Sequence, residues 1–254
     1  MTHSAFTPGS VAVVTGGASG IGLGAARQLA ADGHHVAVLD LNGGAAEAAA
    51  AELRAAGAQA VGVEVDVADA ASVDAAFARV RAELGPMEIL VTSAGIESFD
   101  ALADITAEKW DRILAVNLTG TFNCVQAAVP DMLAAGWGRI VTISSSSAQS
   151  GAPNMTHYAA SKGGVIALTK ALAVEFARQG ITANTIAPSL VDTPMARAAE
   201  AAGDFPGVDV VGPMVPLGRA GTPADIAAAC SYLCGESGSY ITGQLLGVNG
   251  GMYI

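Results

Sequence analysis

The sequence predicts an α/β fold, a doubly wound parallel sheet with helices on both faces, and three observations predict it. Short apolar runs rich in Val, Ile and Leu alternate with Ala-rich stretches of helical spacing, as strands joined by helical crossovers do. The first apolar run breaks into a glycine-rich turn and resumes as a helix. The 254 residues suffice for one large domain with a deep core, and no internal repeat or long linker divides them, so 1–254 is expected to be a single domain.

The elements follow in order. Val11 to Thr15 is a strand, the turn from Gly16 to Gly22 ends it, and Leu23 to Ala31 continues as a helix. Glycines at such a junction let the backbone approach a pyrophosphate, whose charge is met by amides at the helix N-terminus; Gly16, Gly20 and Gly22 are the candidates. His35 to Asp40 is a second strand, ending in an acid 24 residues past Gly16, where a carboxylate can accept hydrogen bonds from ribose hydroxyls. Asp40 points to NAD, because a 2′-phosphate would meet a like charge and residues 41–44 supply no base. Capping of the Ala-rich helix 45–56 is the other task open to Asp40, but Asn42 serves it as well. Ala60 to Asp66 is the third strand; Asp69 caps helix 70–84 and leaves Asp66 free. Glu88 to Gly95 is the fourth. A helix from about Glu108 carries Asn117, whose amide competes for backbone hydrogen bonds and predicts a kink. Arg139 to Ser145, Ile181 to Pro188 and Leu245 to Val248 are the remaining strands, and 223–234 is a helix.

The chemistry centres on Ser145 to Lys162. Tyr158 and Lys162 stand four residues apart on a helix and therefore share a face. A free tyrosine, with a pKa of ~10, is a poor base near neutrality; a neighbouring cation favours the phenolate, so Lys162 is expected to lower it. His157 points about 100° away and reads as pocket rim or surface. Tyr-x-x-x-Lys is a weak signal alone. Here it follows the serine end of an apolar strand by 13 residues, in a chain that opens with Thr-Gly-x-x-x-Gly-x-Gly. Together these motifs resemble the short-chain dehydrogenase/reductase family, in its compact single-domain branch, over about residues 9 to 252.

The resemblance implies a Rossmann-type sheet of seven strands and a nicotinamide cofactor. It implies that Ser145 binds the substrate oxygen, Tyr158 transfers the proton, Lys162 lowers the tyrosine pKa and holds a ribose, and Asn117 anchors a relay water. Cofactor contacts fall to Gly16, Ser19, Gly20, Ile21 and Gly22 at the turn, Asp40 at the ribose, and Asp66 and Val67 at the adenine. Ala94 and Gly95 follow beside the second ribose with Tyr158 and Lys162, then Pro188, Val191 and Thr193 around the nicotinamide. Two departures stand out: Thr92-Ser93 where the family has Asn-Asn, and Ser189 where it has glycine. Thr92 and Ser93 can still hydrogen-bond. Residues 194–216 look like a lid over substrate, whose Met195, Phe205, Met214 and Val215 favour an uncharged substrate body or pack the lid itself.

The expected activity is an NAD-dependent interconversion of a secondary alcohol and a ketone. The alternative is reduction of a 3-oxoacyl thioester, on CoA or an acyl carrier protein. Basic residues that would dock an acidic carrier are reduced to Arg178, with Ala134-Ala135-Gly136 where others would stand.

Composition narrows the partners. The net charge of −11, with 12 basic and 23 acidic residues and no Lys/Arg run, argues against nucleic acid and anionic membranes. No apolar run approaches the ~18 residues of a membrane span, and Met1 to Ser10 lacks a basic start before an apolar core, so a cytoplasmic protein is expected. With 52% hydrophobic and 14% charged residues and a mean hydropathy of +0.46, surface is expected to be buried again between subunits. Gly163, Gly164 and Ala167 suit a close helix contact there, and the resemblance implies a homotetramer. Cys124, Cys230 and Cys234 read as core residues, and scattered His3, His34, His35 and His157 give no metal site.

Overall fold

Strands that are apolar at nearly every position need cover on both faces, and the computed structural model, which describes residues 9–254, provides it. Seven parallel strands form one sheet in the order β3-β2-β1-β4-β5-β6-β7. They are β1 (Val11–Thr15), β2 (His35–Asp40), β3 (Ala60–Glu64), β4 (Met87–Thr92), β5 (Gly138–Ile143), β6 (Ile181–Pro188) and β7 (Leu245–Val248). Residues 1–8, which include His3 and most of the stretch read as lacking a leader, lie outside the described residues.

Alternation along each strand sends side chains to opposite faces. Ala12 and Val14 join Val36, Val38 and Ile186 under α1 (Gly20–Ala31), α2 (Gly43–Ala55) and the later helix Pro223–Cys234, where Leu29, Leu53, Ile226 and Cys230 are buried. Val11 and Val13 join Leu39, Leu90 and Ile140 on the other face, under α3 (Ala70–Leu84) and two longer helices that contribute Val125, Met132 and Leu172. All three cysteines are buried and free, as core residues should be.

The expected kink at Asn117 is a π-helical turn, Ala115–Thr119, between α4 (Ala107–Leu114) and α5 (Gly120–Ala135). A one-turn α6 (Ser147–Ser150) precedes the long α7 (Thr156–Phe176). Past β6 come α8 (Pro194–Ala202), α9 (Val208–Val211) and α10 (Pro223–Cys234). Three strands stop short of the sequence expectation, β3 at Glu64, β4 at Thr92 and β5 at Ile143. Asp66, Ala94, Gly95 and Ser145 therefore stand on loops beyond the strand ends. The strand order reverses between β1 and β4, and a parallel sheet opens a crevice at such a point. Among the described residues no helix is long and apolar enough to cross a membrane, and no cluster of three or more His, Cys, Asp or Glu could hold a metal ion.

Candidate active site

At that reversal lies a cleft of about 740 Å³. One end is built from the glycine turn. Gly16 has φ +63°, and a Cβ there would fall 2.8 Å from the Ala94 backbone, so no other residue fits. Ser19 is the N-cap of α1 but makes no side-chain cap bond, which leaves its hydroxyl and the first-turn amides to an anion. Gly20 and Ile21 line the cleft beside it. Gly22 does not: its missing Cβ would lie 2.1 Å from the Gly16 carbonyl oxygen, so it packs helix against turn instead of approaching a cofactor.

Asp40 stands at the cleft with its carboxylate accepting the Ala18 amide at 3.2 Å and the Asn42 amide at 3.1 Å, while Asn42 caps α2 by accepting from Ala45 N at 3.0 Å. The acid thus ties the glycine turn to β2 and keeps further lone pairs for a ribose. Asp66 and Val67 form the neighbouring wall; Asp66 accepts the Ala68 amide at 2.9 Å, and the Val67 carbonyl accepts Asn123 Nδ2 at 2.9 Å. Gly95 leaves a hollow that a Cβ would fill, 3.2 Å from Asn117 Oδ1 and 3.4 Å from Lys162 Nζ. These cradles fit a dinucleotide laid across the strand ends. At Thr92-Ser93 the hydrogen bonding expected of Thr92 is not made, since its buried hydroxyl has no partner. Thr15 does that bracing, its hydroxyl accepting the Ala94 amide at 3.3 Å and its carbonyl the Ser93 amide at 3.2 Å.

The other end carries the groups expected to do the acid–base work. Ser145, Tyr158 and Lys162 all line the cleft, as do Ala94, Pro188, Val191 and Thr193. Thr193 also caps α8, accepting Ala196 N at 3.2 Å. Lys162 Nζ lies 5.8 Å from the Tyr158 ring centroid and donates to the Ile143 carbonyl at 2.9 Å. The net shift of the Tyr158 phenol runs upward. Burial pushes the phenol well above its usual value, the Glu97 charge pushes it further, and only the Ser145 hydroxyl opposes. Burial also brings the Lys162 ammonium down to about 8, against the pull of Glu97. Both groups are taken out of water, and desolvation is the largest influence on each.

Asn117, fully buried, lies behind the cleft. Its side-chain oxygen accepts Ile96 N at 2.9 Å, its Nδ2 donates to Ile96 O at 2.9 Å and to Ser161 Oγ at 3.1 Å, and its carbonyl accepts the Thr121 hydroxyl at 2.8 Å. The amide clamps the loop that follows β4. His157 is not at a rim or surface: it is fully buried, with Nε2 3.4 Å from Asp100, because the 98–101 loop folds over the start of α7 and Asp100 N bonds Asn154 O at 2.7 Å.

The residues of the expected lid divide. Met195 and Phe205 line the cleft, Val215 is buried, and Met214 is 73% exposed, so only the first two can touch a substrate. Within the Ser144–Ser147 hydroxyl cluster sequence reasoning left the residues other than Ser145 to pocket wall or loop backbone, and it missed Glu97 altogether. Ser147 donates to Ser145 Oγ from both its amide, at 3.2 Å, and its hydroxyl, at 2.8 Å. Glu97 lines the cleft as a half-buried carboxylate, held above its usual pKa by burial and by Asp204 while Lys162 pulls the other way. An acid two residues past Ala94-Gly95 was its only signal.

Known proteins resemble the chain over almost its whole length. A family model described as enoyl-(acyl carrier protein) reductase matches residues 16–253. The 3-oxoacyl-[acyl-carrier-protein] reductase MabA of Mycobacterium tuberculosis is 40% identical over 94% of this chain and 91% of its own. D-threitol dehydrogenase of Mycolicibacterium smegmatis is 41% identical over 97% of this chain and 94% of its own. A crystal structure of an actinorhodin polyketide ketoreductase with NADPH superimposes with a TM-score of 0.92 at 36% identity, covering 98% of this chain and 99% of that one. The chain belongs to the short-chain dehydrogenase/reductase family of oxidoreductases, whose members bind a nicotinamide dinucleotide.

Proposed function

We propose that the protein interconverts a secondary alcohol and a ketone with NAD(H), as one domain with a substrate lid over residues 194–216. The convergence of Ser145, Tyr158 and Lys162 on the cleft beside Gly95 carries this reading. A bound nicotinamide would supply or accept the hydride at its C4, with Val191 and Thr193 beside the ring and the glycine turn at the pyrophosphate. Asp40 would hold the adenosine ribose and repel a 2′-phosphate. Ser145 accepts two hydrogen bonds from Ser147, so its own hydrogen is the one it has to give, to the Tyr158 oxygen in this structure and to a substrate oxygen placed beside it. Tyr158, kept neutral by burial, holds the proton that the substrate oxygen takes in reduction and returns in oxidation. Lys162, titrating at about 8, changes charge near working pH and can pass that proton on. Asn117, at the π-helical turn behind the cleft, would hold the relay water.

The name of MabA favours a second reading, reduction of a 3-oxoacyl thioester, and that of the matching family model also points to an acyl group on a carrier protein. Against a carrier protein stand the net charge of −11 and the lone Arg178 at the candidate docking surface. D-threitol dehydrogenase, named for a polyol, favours the first reading. The test is NADH and NADPH oxidation against free ketones and 3-oxoacyl-CoA thioesters. NADH-linked turnover of free ketones supports the proposal; turnover confined to thioesters replaces it. A homotetramer in the cytoplasm completes the reading. It is supported by exposed apolar side chains such as Phe122 on α5, Val174 on α7, and Tyr240 and Ile254 near the C-terminus, and light scattering checks it.

A further inference from the structure

A side pocket of about 300 Å³ opens from the cleft, and the two share Glu97, Phe99, Ser145, Tyr158 and Ser189. Glu97 therefore stands where a substrate body would leave the reacting centre. Its position is enforced, because Asn117 grips both the amide and the carbonyl of Ile96, one residue before it. The Glu97 carboxylate accepts no hydrogen bond from any described residue, and neither the Ser146 nor the Ser189 hydroxyl is bonded to one. Ser145, Ser146, Ser147, Ser150 and Ser189 make the pocket wall hydroxyl-rich, with Met155 and Phe99 as its large apolar members. An alkyl chain laid against this wall would strand a carboxylate and hydroxyls without partners, which is costly; a substrate with its own hydroxyls would satisfy them.

We propose that Glu97 is a specificity-determining residue that accepts a hydrogen bond from a substrate hydroxyl on the carbon next to the reacting one, so that the enzyme takes vicinal diols and their α-hydroxyketones, the polyol class. This rests on the alcohol–ketone reading above. A cationic substrate fits less well, since Lys162 already compensates the acid and would repel a second cation. The Ser146 and Ser189 hydroxyls serve the oxygens of a longer polyol.

The test compares kcat/KM for 2,3-butanediol, 2-butanol and 3-amino-2-butanol with NAD, in the wild type, Glu97→Gln and Glu97→Ala. The wild type is expected to prefer the diol over 2-butanol, and the Glu97→Ala ratio to fall by ~10-fold or more, whatever change is common to both substrates, as loss of a charge-assisted hydrogen bond predicts. Glu97→Gln, which keeps an acceptor oxygen, should retain part of the preference. An unchanged ratio overturns the role of Glu97 while leaving the alcohol reading intact. A preference for the amino alcohol overturns the diol class. No turnover of any of the three, with turnover of a 3-oxoacyl-CoA, overturns the alcohol reading and this proposal together.

Discussion

The two ends of the cleft are built differently. At the glycine-turn end the surface is mostly backbone: Gly16 at positive φ, the open N-terminus of α1, and an Asp40 locked onto the Ala18 and Asn42 amides. At the Tyr158 end it is made of side chains from separate segments, among them Glu97, Ser145, Ser189 and Phe205. Backbone geometry suits a ligand whose shape does not vary. Side chains that meet only in the folded chain can be exchanged singly, and on the proposed function that end would set the chemistry and the substrate.

The sharpest way to break this division is at Tyr158. Tyr158→Phe keeps the ring and removes the proton donor, so kcat should fall by ~10²–10⁴-fold while NADH binding, followed by fluorescence titration, is retained. A fall of less than ~10-fold would mean that another group transfers the proton. At the opposite end, Asp40→Ser removes the like charge facing a 2′-phosphate. The ratio of kcat/KM with NADPH to that with NADH should rise by ~10-fold or more, with no loss of proton transfer. An unchanged ratio would take coenzyme choice away from Asp40.

The same division explains what was legible. The bounds of β1, β6, β7, α3 and α10 match the reading residue for residue, because local chemistry marks several of them, such as the Asp69 cap and the Thr222–Pro223 start of α10. The glycine turn was legible for the same reason. Burial is not local. The rise in the Tyr158 pKa, the buried His157 and the exposed Met214 all depend on which distant segments cover a residue. Glu97 escaped notice because its neighbours, Asp204 in the lid and Lys162 on α7, are remote in sequence. Asn117 was read for its kink, but its grip on Ile96 required the fold.

On the proposed roles Glu97 would also link substrate choice to proton transfer, which gives a smaller effect with a defined sign. The groups that face it are Lys162, Tyr158 and Asp204. Its charge holds the Tyr158 pKa up and supports that of Lys162, so Glu97→Gln lowers both. Alcohol oxidation requires those groups to give up a proton, and the rising limb of its pH–rate profile should therefore move to lower pH. A shift to higher pH, or none, would show that Glu97 does not act on the tyrosine.

The smallest effect belongs to the lid. Arg197 on α8 donates to Asp192 through Nε at 2.8 Å and Nη2 at 2.9 Å, and through Nη1 to Asp209 of α9 at 3.0 Å and Glu200 at 3.2 Å. Asp192 lies between Val191 and Thr193, so this guanidinium fastens both lid helices to the segment beside the nicotinamide position. Its side chain is 39% exposed, and pairs in such water contact are weak and salt-screened. Arg197→Ala should raise KM by only ~2–5-fold and leave kcat close to wild type, because no reacting group is touched. About 0.5 M salt should raise the wild-type KM in the same way and have less effect on the variant. A tenfold fall in kcat would instead make the lid part of the catalytic end, since a latch that only positions a cover cannot slow the proton and hydride transfers beneath it.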